Sequence, residues 1–255
     1  LKSELEEVRK TKDTVKISIK ELEIAKKIQK AVSSFSYQKG ANYPSEMIET
    51  QFINCVGSAL LGGGLLDEVG IKYLHVDLPR HHATVLITSD GKVYWQDFTP
   101  GVENMPDNYK EISSPMLENG SISELAKYTD DLEKPLTLTF KDWNPYSHMC
   151  GGLRVILSKP EVGLQSHILN NLGYDLNKTG FYKEALKAYQ QAINLGLEYP
   201  QFYNGLGNAL RDLGRNKEAI EAYRKFLSLW GGDDNLKYAV MDKIEELELK
   251  EKSKK

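Results

Sequence analysis

The last third of the chain repeats itself at a spacing of 34 residues, and this spacing constrains the fold more than any other feature. Three sets of residues keep it: Leu172-Gly173 with Leu206-Gly207, Ala185 with Ala219, and Tyr189 with Tyr223. The segments 181–186 and 215–220 also align without gaps. A unit of this length cannot bury its apolar face alone, so consecutive copies must stack on one another.

These positions resemble the tetratricopeptide (TPR) repeat, a pair of helices in which small residues allow close packing and tyrosines fill the gap beside them. The resemblance implies an all-α domain over 161–255, with repeats at about 166–199 and 200–233. Leu169 replaces the usual aromatic of the first repeat, and Phe226 stands where a small residue is typical. A third helix is expected from Asp233-Asp234 to about Leu249, as a solubilising cap. The expected partner of such repeats is a protein or a peptide.

Residues 1–160 show a different pattern, in which helices precede strands. Residues 1–35 are polar and helix-prone, and the first 15 or so have few apolar anchors, so we expect a helical and partly solvated N-terminal extension. An apolar run from Gln51 to Val69 ends at Gly70, which is typical of a helix end. Strand-forming runs follow at 71–77, 81–88, 92–98, 136–140 and 153–157. The pattern predicts an α+β domain over 1–160 with an antiparallel sheet.

Asp90-Gly91 lies between two of these strands and indicates a β-hairpin. With a two-residue turn, the numbers of paired residues add up to about 181, so Asp97 faces Thr84. Thr84 shares a sheet face with His82, and diagonal neighbours are close enough for a hydrogen bond between His82 and Asp97. A slip of one residue in the turn would select His81 instead.

Cys55, His82 and Asp97 together have the composition of a thiol catalytic site. A cysteine near a helix start feels the positive end of the helix dipole, which favours the thiolate. A thiolate nucleophile needs a nearby base, and that base needs an orienting group. A histidine on one strand of a hairpin and an aspartate on the next can provide both.

The same segments resemble the transglutaminase-like superfamily. The resemblance covers roughly residues 45–100 and is carried by Asn54-Cys55, Ala59-Leu60-Leu61, Leu65-Leu66, Val69-Gly70-Ile71, His82-Ala83-Thr84-Val85 and Trp95-Gln96-Asp97-Phe98-Thr99-Pro100. It implies that Cys55 is the nucleophile, His82 the general base and acid, and Asp97 the orienting carboxylate. It also implies a transglutaminase-like cysteine-hydrolase fold for the first domain.

Other polar residues leave alternatives open. The oxyanion hole would use the Cys55 backbone N–H and a side-chain amide from Gln51 or Asn54, either of which could equally be a helix cap. His75 in an apolar strand is expected to be a core residue, and a metal site of His75, His81 and His82 lacks a further ligand of clear geometry. His148 and Cys150 are close in sequence but have no acidic partner. No cofactor and no metal are therefore predicted.

The sequence favours an enzyme: a cysteine-dependent hydrolase or acyl-transferase that acts on an amide or ester, with a protein or peptide as the default substrate. The alternatives are a non-catalytic scaffold that binds a partner in the repeat groove, and a structural unit braced by the repeats. The formal net charge is −3, without the basic excess of nucleic-acid-binding domains. No apolar run approaches the ~18 residues of a membrane span. The favoured location is the cytoplasm, although the start at Leu1 suggests that some residues were removed upstream, where a signal or anchor could have been lost.

Overall fold

The computed structural model of the chain describes residues 1–37, 52–53, 55–78, 81–101, 110–112, 135–140, 153–230 and 234–253. It divides into two compact units, Leu1–Gly163 and Leu164–Lys255. The first unit combines helices with antiparallel strands, and the second is helical. The predicted α+β class, followed by a helical repeat region, is therefore confirmed.

The described part of the first unit contains helices in its first 70 residues and most of its strands after them. Its described helices are α1 (Lys2–Arg9), α2 (Thr14–Val32) and α3 (Cys55–Val69). The strands are β1 (Ser36–Tyr37), β2 (Phe52–Ile53), β3 (Lys72–Leu78), β4 (His81–Ile87), β5 (Val93–Gln96), β6 (Glu111–Ile112), β7 (Leu136–Phe140) and β8 (Leu153–Ser158). Asp13 caps the start of α2 by accepting a hydrogen bond from the Lys16 backbone N–H, and Gly70 ends α3 with a positive φ of 72°, as its position predicts.

Six of the strands form one antiparallel sheet in the order β6-β5-β4-β3-β8-β7, and β1 pairs separately with β2 in parallel. Strands β3 and β4 occupy the middle of the sheet, and nearly all of their side chains are buried. Polar side chains on these two strands are therefore held away from water on either face. Buried polar side chains need hydrogen-bond or ionic partners, so the partners of these residues define the site.

The core of the first unit joins the helices to one face of the sheet. Its members include Leu5, Ile24, Ile28, Leu66 and Phe98, each with no more than 1% of its surface exposed. The expectation of a solvated start is wrong for Leu5, which is completely buried in this cluster. Helix α1 contributes to the core through Leu5, and the partly buried Val8 of the same helix packs against this cluster as well.

The β4–β5 turn differs from the predicted two-residue turn. The Thr88 N–H donates to the Lys92 carbonyl, and the Gly91 N–H donates to the Thr88 carbonyl, so three residues close the hairpin. Gly91 has a φ of 81°, the left-handed conformation that three-residue hairpin loops place on a glycine. Thr84 consequently pairs with Gln96. The predicted pairing of Thr84 with Asp97 is wrong by one residue.

The described residues of the second unit form five helices, the first of which begins in the first unit. Their bounds are α4 (Pro160–Lys178, which begins in the first unit), α5 (Tyr182–Asn194), α6 (Pro200–Asp212), α7 (Asn216–Leu229) and α8 (Asp234–Lys252). The turn before α5 recurs before α7. Gly180 and Gly214 both have positive φ, and the Phe181 and Arg215 N–H groups donate to the carbonyls of Leu176 and Leu210. The 34-residue spacing thus repeats in backbone hydrogen bonds.

The glycines and tyrosines of the repeats pack as the sequence predicts. A Cβ atom on Gly173 would lie 2.9 Å from the Tyr189 ring, and one on Gly207 would lie 2.5 Å from the Tyr223 ring. Both rings occupy space that a side chain on the glycine would need. The third predicted helix is α8, which begins at Asp234. Phe226 is buried and stacks on Trp230 at a centroid distance of 5.0 Å.

Candidate active site

Three chain segments bring a thiol, an imidazole and a carboxylate together. Cys55 is the first residue of α3, His81 is the first residue of β4, and Asp97 directly follows β5. Cys55 is a free cysteine and is half-buried. A helix N-terminus and the ends of two paired strands are fixed by the core, so they hold these groups on a rigid frame.

His81 and Asp97 form a short hydrogen-bonded ion pair. The His81 Nε2 atom lies 2.6 Å from Asp97 Oδ2. The other oxygen, Asp97 Oδ1, accepts a hydrogen bond of 2.9 Å from the Thr99 N–H. The Asp97 side chain is 3% exposed. The carboxylate is therefore held through both oxygens and can fix the orientation of the imidazole ring.

The Cys55 side chain lies close enough to His81 to affect the pKa of its ring. Burial lowers the pKa of His81, but the charge and hydrogen bond of Asp97, with a smaller contribution from Cys55, outweigh it and raise the pKa to about 10. The raised pKa keeps His81 protonated near neutral pH, where it lies between the Asp97 carboxylate and the Cys55 side chain.

The predicted role of His82 beside Asp97 is wrong, and its neighbour takes that position. His82 lies on the opposite face of β4, where its Nδ1 atom is 2.9 Å from Asp77 Oδ1. The cause is the three-residue turn, because a shift of one residue exchanges the two faces of a strand. Cys55 and Asp97, the other two predicted catalytic residues, lie together with His81.

Gln96 connects Asp97 to the helices. It is completely buried, donates to the side-chain carbonyl of Gln29 on α2, and donates to the Asp97 main-chain carbonyl at 3.3 Å. Sequence reasoning had not identified either glutamine as part of the site. A polar residue at a core-facing position of α2 was the available signal, since Gln29 stands between apolar residues at helical spacing.

Tyr37 is a further residue near the thiol. It lies on β1, is 51% exposed, and has a pKa raised by burial and, to a smaller extent, by the charge of Cys55. The predicted oxyanion candidates Gln51 and Asn54 lie outside the described residues, as do His148 and Cys150. Their roles stay predictions.

Comparisons with known proteins bear mainly on the second unit. The family described as Tetratricopeptide repeat matches residues 170–234, so the repeat part of the prediction is confirmed. Neither the curated proteins nor the solved structures include a significant match to the chain. Among the helices of the described ranges, none has the length and apolar character needed to cross a membrane.

Proposed function

We propose that the chain is a cysteine-dependent hydrolase or acyl-transferase in which Cys55 attacks an amide or ester carbonyl. The observation that carries this proposal is the 2.6 Å contact between His81 Nε2 and Asp97 Oδ2, beside a Cys55 side chain that is close enough to affect the pKa of His81. A nucleophile, a base and an orienting group in that order are the requirement for thiol catalysis. The resemblance of residues 45–100 to the transglutaminase-like superfamily supports the same chemistry, with His81 in the role first assigned to His82.

Each residue has a defined part in the reaction. The Cys55 thiolate adds to the carbonyl carbon, and the Cys55 backbone N–H is one donor to the resulting oxyanion. Protonated His81 donates its proton to the leaving amine or alcohol, which departs and leaves an acylated Cys55. Water, or an acceptor amine, then attacks the acyl carbon while His81 accepts its proton. Release of the product restores the Cys55 sulfur, and Asp97 keeps the ring aligned throughout.

The repeats suggest protein interaction, and they favour a protein or peptide as the substrate or partner. TPR helices provide stacked surfaces that accept an extended segment of another chain. A hydrolase with such an attachment would act on a target that the repeats hold. The match of residues 170–234 to the repeat family also supports the second candidate, a non-catalytic scaffold.

Covalent trapping distinguishes the two candidates. The full-length chain is incubated with a small activated ester, quenched in acid, and digested for mass spectrometry. We expect an acyl group on the peptide that contains Cys55 and none on the peptide that contains Cys150, which serves as the internal control. Cys55→Ala should abolish both the adduct and the turnover of the ester.

Two results would contradict the enzyme proposal. One is equal acylation of both cysteines, which would indicate ordinary thiol reactivity. The other is a stable adduct on Cys55 that neither water nor an added amine removes, because turnover requires the second step. Either result, together with capture of a peptide by the repeats, would favour the scaffold.

A further inference from the structure

A second group of titratable side chains lies on the other face of the β3–β4 pair. His75 and Asp77 alternate along β3 and therefore share a face, and His82 pairs directly across from Asp77 on β4. Asp77 Oδ1 is 3.3 Å from His75 Nε2 and 2.9 Å from His82 Nδ1. The two imidazole rings are stacked, with centroids 5.8 Å apart. All three side chains are at least 95% buried.

We propose that His75, Asp77 and His82 bind a divalent transition-metal ion, and Zn²⁺ is the ion that fits best. Each side chain offers one ligand atom, and these atoms lie within 4.8 Å of one another. Zinc bonds of about 2.0–2.1 Å in a tetrahedral site place neighbouring ligand atoms roughly 3.3 Å apart. The two distances to Asp77 lie close to that value. Two imidazoles and one carboxylate are a known donor set for zinc.

Ser158 provides an independent observation beside the same ligands. It pairs with His75 across the β3–β8 ladder, is 1% exposed, and its hydroxyl has no hydrogen-bond partner among the described residues. A Cβ on Gly163 would lie 2.5 Å from the His75 ring and 2.8 Å from the Ser158 hydroxyl. The hydroxyl is therefore next to His75, where it can bind the ion or hold a water ligand.

Charge favours a cation at this position. A buried carboxylate costs free energy unless a positive charge compensates it. The Asp77 carboxylate brings a negative charge into a group whose side chains are all buried. A divalent ion compensates that charge and engages three polar groups at once. Replacement of one of the three ligands should then weaken binding of the ion far more than replacement of a polar side chain on the surface.

The ion would have a structural role that the proposed catalysis does not include. It would join the middle of β3 to the start of β4, next to His81, from the face opposite to the Cys55–His81–Asp97 contacts. The competing occupant of the same group is a proton shared between the histidines and Asp77. A metal titration separates the two, because only the cation adds a spectroscopic and stoichiometric signal.

The test uses untagged full-length protein carrying Cys55→Ala, so that the thiol beside His81 cannot bind metal. The protein is stripped with a chelator and titrated with Co²⁺ and with Zn²⁺. We expect one Co²⁺ per chain with the visible absorption of a four-coordinate site, its displacement by one Zn²⁺, and a higher melting temperature when the ion is bound. Absence of a stoichiometric Co²⁺ signal would overturn the proposal, because this protein still carries all three proposed ligands. That result does not depend on whether the ligand variants fold.

Variants assign the ligands within the same background. Asp77→Asn keeps the size of the side chain, His82→Asn keeps a hydrogen-bonding group near the position of Nδ1, and each replacement of a ligand should weaken Zn²⁺ binding by roughly 100-fold or more. His81→Gln is the matched control, because it removes the adjacent histidine from the opposite face and should leave Zn²⁺ binding unchanged. Unchanged binding in Asp77→Asn, or equal loss in all three variants, would contradict the assignment. Since Cys55 is absent throughout, neither outcome depends on the proposed catalysis.

Discussion

The two units differ in how directly sequence spacing becomes geometry. In the repeats, Gly173 and Tyr189, or Gly207 and Tyr223, are 16 residues apart and belong to neighbouring helices of one hairpin. In the sheet, the contact between His81 and Asp97 also spans 16 residues, yet it depends on the number of residues in one turn. A helical repeat tolerates small errors because its period is long, whereas a strand exchanges faces with every residue.

This difference explains why a one-residue error in a predicted boundary matters in the sheet and not in the repeats. A boundary of the third repeat helix that is misplaced by one residue leaves the packing of α7 and α8 unchanged. The same error in the Ser89–Gly91 turn changes which histidine meets the Asp97 carboxylate. The adjacent histidines of β4 make the error visible, because each has a distinct partner: Asp97 for His81 and Asp77 for His82.

The largest effect is expected from overpacking the repeat core. Ala219 is completely buried in the cluster that includes Tyr223 and Phe226. Ala219→Trp should therefore lower the free energy of unfolding of the repeats by about 3 kcal/mol. Glu221→Trp, two residues on and exposed, adds the same side chain on the solvent side and should change stability by less than about 0.5 kcal/mol. Amide hydrogen exchange of α5–α8 under native conditions measures both. Equal protection in the two variants would contradict the repeat packing.

Much of the fold followed from the sequence, because its signals are local. The 34-residue period predicted the helical hairpins, and β-forming runs bounded by turn residues predicted β3, β4, β5, β7 and β8. The site was less predictable, since it combines a helix start with the ends of two strands. Cys55 and Asp97 were identified from residue type and order, while the choice of histidine required the turn type. Gly91 can close a hairpin in either a two-residue or a three-residue loop, and the sequence contains nothing that chooses between them.

The second prediction tests that choice by replacing the adjacent histidines. His81→Gln removes the ring that contacts both Cys55 and Asp97, so the thiol should revert to ordinary reactivity. An ordinary thiol is only about 1% ionised two pH units below its usual pKa of about 8.5. We therefore expect iodoacetamide labelling of Cys55 near pH 6.5 to slow by roughly 10- to 100-fold.

His82→Gln is the matched variant for this experiment. Its ring contacts Asp77 on the other face, so the labelling rate of Cys55 should stay within about twofold of the parent. Labelling of Cys150 in the same samples corrects for unfolding, because exposure of the chain would accelerate both cysteines. Slower labelling of Cys55 in His82→Gln, with an unchanged labelling rate in His81→Gln, would contradict this pairing and support the two-residue turn with His82 beside Asp97.

Asp77 shows a second limit of the sequence. It alternates with His75 on a strand, and titratable residues two positions apart share a face. That signal was present, but a strand interior is expected to be apolar, and the cross-strand partner that completes the group depends on the β3–β4 register. The structure provides this register by pairing Asp77 with His82. A cluster whose residues meet only through the pairing of two strands is therefore harder to predict from sequence than a motif with a fixed spacing along the chain.

The smallest change in stability is expected at the three consecutive glycines of α3, where local helix propensity and non-local packing have opposite effects. A Cβ on Gly62 would lie 2.3 Å from the Phe98 ring, whereas one on Gly64 would meet nothing within 4 Å. Phe98 follows Asp97 directly and is buried, so its ring cannot move away without disturbing the core.

For Gly62→Ala, an overpacking cost of about 1–3 kcal/mol exceeds a gain in helix propensity of about 1 kcal/mol, and we expect a net loss of about 1 kcal/mol. For Gly64→Ala only the gain remains, and stability should rise by about 0.5–1 kcal/mol. Urea unfolding of the two full-length variants measures both values. Helix propensity alone predicts the same sign for both, so a stabilised Gly62→Ala would show that α3 does not pack on Phe98 as closely as the structure has it.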